Sequence, residues 1–398
     1  MDLNRLPWPI YPQNLISLNG RHFFLNKKRF DFFSQPDSTA FKIFLFGWHF
    51  IFVYFAWQER VERGHSDAHF YWAQNFDITP YSWFDFFSYG TDFMLWLNYP
   101  FIKVGIPFWG GFILYGCIGY VAVVQYAKWL YTLVGSEIRI GKVNILPVFY
   151  FLPGLHYWTA VLGKEPLLFL CLVQVFMTIS NYKPVSVSFV LGSALLLIIR
   201  PHVALFLLLA FGCSYLIFSR DKVQQKIKWA FLGISASSIL MYMVLQLSRI
   251  RYLDWDRIVR FNKGSVLSFK RSATYVPMED YSLFYRFVSF YFRPFAGEIN
   301  NWKGWLAGLE NMVYLILHLL FIYLLFRHWK KIKNIQWPLW CSTAVFLSLY
   351  CGSIYIFRYA NFGIFMRTKL MYAPFMVAAI LWLMHAVQKN QSIENNKT

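Results

Sequence analysis

The stretch RGHSDAHFYW, Arg63 to Trp72, sets a carboxylate, two imidazoles and a guanidinium directly after an apolar run. Asp67 and Tyr71 are four apart, which puts them on one face of a helix, and His65 and His69 flank them. A carboxylate in that position can take the proton of an acceptor hydroxyl or hold a divalent cation. The bland reading of the same residues is a solvated loop acid beside aromatic rings. Asp77, Asp85 and Asp92 lie further along the stretch and are weaker rivals.

Three more clusters interrupt apolar runs. In LPGLHYWTAVLGKEPLLFL (Leu152 to Leu170), His156, Lys164 and Glu165 break an otherwise apolar hairpin. Ionisable groups next to hydrocarbon are costly unless paired or wet, so they point to function. The alternative is a turn in which Glu165 caps the helix that Pro166 starts and Lys164 stretches toward water. In LLLIIRPHVALFLLLAF (Leu195 to Phe211), Arg200 and His202 stand in the interruption, and Arg200 fits an anion ligand or a partner for Glu165 or Asp67. In FRYANFGIFMRTKLMYAPF (Phe357 to Phe375), Arg358, Arg367 and Lys369 bracket a short turn. Together with Arg293 of FRPF they make a candidate phosphate clamp, because the guanidinium fork matches phosphate oxygens. The alternative is ordinary charge at helix ends.

Elements that bring such clusters together must run through a membrane. The chain of 398 residues is 58% hydrophobic, 22% aromatic and only 14% charged, whereas soluble domains carry about 25% charged residues. Apolar runs at 41–57, 107–134, 145–161, 166–181, 185–200, 203–218, 229–247, 311–326, 337–357 and 370–388 predict an all-α integral membrane protein of about ten transmembrane helices. The runs on either side of Pro166 are short enough to form one hairpin that dips in and returns. The aromatic stretches Tyr81–Gly105 and Tyr281–Phe295 predict interfacial helices in the first and the long outer loop. The expected organisation is a basic cytoplasmic segment 1–40, one transmembrane domain 41–388 with outer loops 58–106 and 248–310, and a disordered cytoplasmic tail 389–398.

Charge sets the orientation. With both termini cytoplasmic, the short basic loops fall on one side: Lys27, Lys28 and Arg29; Arg139 and Lys142; Lys183; Arg220, Lys222, Lys226 and Lys228; Arg327, Lys330, Lys331 and Lys333; and Lys389. The four chemical clusters fall on the other side, with the Arg-rich segment 248–310 containing Arg249 and Arg251. Long loops escape the positive-inside rule. The net charge of +19 therefore points to cytoplasmic loops and anionic lipid, and no nucleic-acid motif accompanies it. No cleavable signal peptide is expected, since the first long apolar run begins near Phe41. The five cysteines form no CxxC pair and are expected as small buried hydrophobes. Phosphate-loop, dinucleotide, GxSxG and HExxH patterns are absent from the sequence.

The arrangement resembles the polytopic membrane glycosyltransferases of the GT-C type and the bacterial oligosaccharide-repeat polymerases. DAHFYW (Asp67 to Trp72) stands where those families have an acid in the first outer loop, and LPGLHYWTAVLGKEP, IIRPHVA and NFGIFMRTKLMYAPF resemble their later outer turns. The resemblance implies a GT-C-like fold, a polyprenyl-phosphate- or pyrophosphate-linked sugar donor, a glycan acceptor and transfer on the extracytoplasmic face of a bacterial inner membrane. It implies Asp67 as the base, with Glu165 as a second catalytic acid. Tyr71, His156, Lys164, Arg200, His202, Arg293, Arg358 and Arg367 would bind substrate or phosphate. The chain departs from the pattern because Asp67 is followed by Ala68 and Glu165 stands alone. Both a divalent Mg or Mn ion on Asp67 and Glu165 and no metal at all stay open. Two other functions stay open as well: a metal-independent polymerase or ligase working with arginines, and a lipid-linked glycan flippase. A flippase would favour inverted repeats, and none is visible.

Overall fold

A computed structural model describes residues 35–135, 138–140, 143–181, 186–248, 250, 254–332 and 336–395. Most of the expected basic segment 1–40, with Lys27, Lys28 and Arg29, lies outside the described residues. So do Lys142, Lys183, Arg249, Arg251 and Lys333.

The chain is a helical bundle. It opens with α1 (Thr39–Arg63), α2 (Asp67–Tyr71), a 3-10 turn at Trp83–Phe86, α3 (Thr91–Lys103) and α4 (Phe108–Val134). A two-strand ladder, β1 (Arg139–Ile140) against β2 (Val143–Asn144), leads to α5 (Leu146–Tyr150), α6 (Pro153–Ala160) and α7 (Lys164–Asn181). Next come α8 (Val187–Ile199), α9 (Pro201–Phe218), α10 (Val223–Leu247), α11 (Trp255–Ser268) and α12 (Leu283–Phe292). The last are α13 (Trp302–Arg327), α14 (Trp329–Ile332), α15 (Leu339–Tyr355), α16 (Phe362–Lys369) and α17 (Ala373–Asn395).

All ten apolar segments are helical, but they are not ten demonstrated spans. Among the described residues, five helices are long and apolar enough to cross a membrane: α1, α4, α9, α10 and α13. The pair α16 and α17, bent by 54°, makes a sixth if it counts as one span. The segment 145–161 is broken because Pro153 starts α6. Proline lacks the amide hydrogen and pushes its preceding residue, Leu152, out of helical geometry. The segments 185–200 and 337–357 give helices of only 13 and 17 residues. The tail also differs from expectation, since α17 runs on to Asn395.

The centre is formed by α15 and α17 packed against α4, α7 and α9, with Phe169, Phe176, Leu347, Phe375 and Ile380 fully enclosed. Phe176 and Phe375 stack at 4.1 Å between ring centres. At the other extreme, α10 buries none of its residues and leaves Phe231, Ile234 and Ile239 exposed. Large apolar faces of this kind are tolerable against lipid rather than water. Cys171, Cys341 and Cys351 are buried as expected, whereas Cys117 faces outward on α4.

The bundle has two distinct ends. Lys128 of α4 pairs with Asp37, just before α1, at 2.7 Å, and Trp129 bonds Ser180 near the end of α7 at 2.8 Å. The β1–β2 hairpin and the turn from α9 to α10, with Arg220 and Lys222, come from helices that leave toward this same end. At the opposite end are the close of α1, the head of α7, the elbow between α8 and α9, and α16. Lys303 at the start of α13 is also there, and with about 1.5 Å of rise per residue Arg327 lies about 36 Å away from it.

Candidate active site

A tight turn at the end of α1 places Asp67. Gly64 ends that helix with φ +65°, and its amide donates to the carbonyls of Arg60 and Val61. The left-handed conformation turns the chain sharply, as glycine does most readily. The five-residue α2 then begins at Asp67 and is pinned from behind. Asn98 donates to the Tyr71 carbonyl at 3.0 Å, Tyr115 donates to Asn98 at 2.9 Å, and Trp72 donates to the Ile106 carbonyl at 3.0 Å.

Arg367 comes from α16, 300 residues away from Asp67. Asn361 caps α16 by accepting from the Ile364 amide at 3.1 Å, and its own amide donates to Ser272 at 2.7 Å and Thr274 at 2.9 Å. The long loop therefore fixes the start of the helix that carries Arg367. Arg200 sits in the elbow that Pro201 forces between α8 and α9, with φ −145° and ψ 77°. Glu165 lies in the first turn of α7, where a carboxylate also meets the favourable end of the helix dipole.

These four side chains meet. Arg367 Nη1 donates to Asp67 Oδ2 at 2.8 Å and Arg367 Nε donates to Glu165 Oε1 at 2.5 Å. Arg200 Nη2 donates to the same Glu165 oxygen. The result is a chain Asp67–Arg367–Glu165–Arg200. The Glu165 side chain is 1% exposed and that of Asp67 is 60% exposed. Asp67, Tyr71, Glu165 and Arg367 line a cavity of about 350 Å³. Its walls also include Arg60, Arg63, His65, Trp158 and Asn361.

Lys164 donates to Thr91 at 3.1 Å and lies 5.7 Å from the centre of the Tyr71 ring. Burial, and next the nearby Arg200, push its ammonium down to about 8. An anion entering beside it would stabilise the charged form and raise that value again. Burial, and next Asp67, raise the Tyr71 phenol, which stays a proton donor. His202 lies within electrostatic reach of Arg200, Arg358 and Lys164. Its Nε2 and the Nε of Arg358 are buried with no hydrogen-bond partner among the described residues. Arg358 is held over the Phe261 ring at 4.6 Å. Buried polar atoms without a partner are rare and call for one.

Of the expected site residues, Asp67, Tyr71, Glu165 and Arg367 line the cavity, and Arg200 and Lys164 adjoin it through Glu165 and Tyr71. His202 and Arg358 are not among its walls, while His156 and Arg293 are spent on internal partners. His156 is fully buried, bonded to His49 at 3.0 Å and to the Tyr150 carbonyl at 2.8 Å. It ties α6 to α1 and does not line the cavity, because it lies on the face of α6 that packs on the bundle. Arg293 is consumed by Glu298, which accepts from its Nε at 2.8 Å and from its Nη2 at 2.6 Å. Tyr281, Tyr285 and Phe362 enclose its guanidinium. Arg293 is therefore a structural clasp in the long loop and is not free to join the expected phosphate clamp. Lys369 is also internal, donating to Asn311 and to the Arg293 carbonyl.

Sequence reasoning missed Arg60 and Trp158, and it noticed Arg63 in the opening stretch without giving it a role. Arg60 and Arg63 are spaced at i and i+3 in the last turn of α1, which passes for ordinary helix-end charge. Among the described residues no three of His, Cys, Asp and Glu gather as metal ligands. Asp67 and Glu165 are bridged instead by the Arg367 guanidinium.

No protein-family model, no curated protein and no solved structure matches the chain.

Proposed function

We propose that the protein is a membrane glycosyltransferase that moves a sugar or glycan from a polyprenyl-(pyro)phosphate donor to an acceptor hydroxyl on the extracytoplasmic face. The observation that carries this reading is the convergence of Asp67, Glu165 and Arg367, from three distant segments, at one cavity, with Arg200 bonded to Glu165 behind its wall. The cavity lies at the bundle end opposite Lys128 and Asp37, and a bacterial inner membrane with cytoplasmic termini suits that polarity.

The chemistry asks little of the protein. The acceptor oxygen attacks the anomeric carbon, the bond from that carbon to the phosphate oxygen breaks, and the phosphate leaves with the electron pair. Asp67, the exposed acid, receives the acceptor proton. Arg200, Arg358, His202 and Lys164 hold the departing phosphate, the unpartnered Arg358 Nε–H and, in its Nε2–H form, His202 supplying bonds made only when the anion is present. Positive groups fixed beforehand at a leaving group stabilise it without reorganising. Glu165 accepts from two guanidinium groups, so its part is to hold Arg200 and Arg367 in place rather than to move a proton. Arg367 supplies positive charge between the two carboxylates. Tyr71 and Trp158 offer faces to a sugar ring.

The test is transfer from a polyprenyl-phosphate-linked sugar by the purified protein. General-base help contributes about 10²–10⁴ in rate, so Asp67→Asn should lose about that factor while the variant stays folded. Near-normal turnover would remove Asp67 as the base. The bond from Arg367 to Asp67 favours a second reading, a polymerase or ligase working with arginines and no essential acid. In that case Arg200→Ala and Arg358→Ala abolish transfer and Asp67→Asn does not.

A further inference from the structure

Beyond the chain that links Asp67 to Arg200, a second electrostatic assembly adjoins the cavity through Arg60 and Arg63. Glu59, near the end of α1, accepts from four donors. Arg63 Nη2 approaches Oε1 at 2.5 Å and Arg60 Nη1 at 3.2 Å. Lys303 Nζ approaches Oε2 at 3.0 Å and the Tyr157 hydroxyl at 2.7 Å. Three cations on one carboxylate leave two positive charges uncompensated.

Helix-end charge accounts for Arg60 and Arg63, which complement the dipole of α1. It does not account for Lys303, which reaches the same carboxylate from the start of α13, or for the Tyr157 hydroxyl from α6. Glu59 gathers groups from three helices and holds the guanidiniums in fixed positions. Arg60 and Arg63 line the same cavity as Asp67. The Arg63 side chain is 59% exposed and that of Lys303 36%, so both remain open to a ligand from water. A neutral sugar acceptor needs no such excess of charge, whereas an anion is drawn to it and bound bidentately by guanidinium.

We propose that Arg60, Arg63 and Lys303, held by Glu59, form a second anion seat, and that the acceptor is itself anionic. This rests on the transferase reading. It adds that the acceptor presents its hydroxyl to Asp67 while a phosphate or carboxylate of the same molecule sits on the α1 end. The donor phosphate and the acceptor anion would then lie on opposite sides of the Arg367–Glu165 pair, which keeps the two charges apart.

The experiment is calorimetric titration of the purified protein with inorganic pyrophosphate and, separately, with glucuronate. The comparison is wild type against the double variant Arg63→Gln, Lys303→Gln. Glu59 keeps Arg60 and Tyr157 in that variant, and a melting curve checks the fold. The expected result is the loss of one site, or at least tenfold weaker binding, for one of the two anions. Loss for pyrophosphate identifies a phosphorylated acceptor, and loss for glucuronate alone identifies an acidic sugar. Identical numbers of sites and affinities in both proteins, or no binding of either anion to wild type, overturn the proposal. The outcome is independent of the transfer assay: if Asp67→Asn keeps its activity, the catalytic reading fails while the seat is still measured.

Discussion

At the scale of single residues, Glu165 decides more than its neighbours. Its carboxylate is buried and accepts from two guanidinium groups on helices far apart in sequence. Removing one member of a buried ion pair leaves uncompensated charge and costs about 3–5 kcal/mol. Glu165→Ala should therefore lower stability by about that amount, because it strands Arg200 and Arg367 together. Asp67→Asn, at an exposed carboxylate, should change stability by well under about 1 kcal/mol. Chemical denaturation in detergent measures both. Equal effects in the two variants would mean that Glu165 does not hold the arginines. Asp67, Glu165, Arg200 and Arg367 are each visible in the sequence as charge at the end of an apolar run. Which arginine stands between the two carboxylates is not visible there. Arg293, Arg358 and Arg367 look alike along the chain, and Glu298 lies five residues from the first of them.

At the scale of elements, the site depends on how closely helices approach. Gly119 of α4 faces the backbone of α6, where an added Cβ would lie 1.8 Å from the Thr159 carbonyl oxygen. The contact lets α6 lie flat on α4 and puts Trp158 into the cavity wall. Since the obstacle is backbone rather than a flexible side chain, the helices must part to admit any side chain. Overpacking typically costs about 1–3 kcal/mol, and Gly119→Val should reach at least that and reduce transfer as well. A melting temperature in detergent equal to wild type would refute the close approach. The sequence located the apolar helical segments because apolar runs and prolines are local signals, but it missed the polar helix α11 in the long loop and read α16 as a turn. It misjudged the segment at 145–161 as one span although Pro153 stood inside it, since hydropathy averages over a window and a break is a single-residue event.

At the scale of the whole molecule, the solvent for the outer surface is the issue. Helix α10 contacts the bundle mainly through α9 and buries none of its residues. Ile234, near its midpoint, is 67% exposed. If that face meets hydrocarbon, Ile234→Arg should cost about 2.5–3.5 kcal/mol of insertion free energy. The same substitution at an exposed loop position should cost little. A translocon insertion assay on α10 makes the comparison, and unchanged insertion would mean that this face is covered by protein or water.

The sequence by itself determined the helical class, the segments that are apolar and the polar clusters that end them. All of these depend on local composition, which fixes what each stretch can bury. Only the tertiary structure decided that Asp67 and Arg367 touch, that Arg293 and His156 are spent on internal partners, and that Arg60, Arg63 and Lys303 share one carboxylate. A charge's partner is set by geometry over a few ångströms, and residues hundreds of positions apart reach that distance only once the helices have packed.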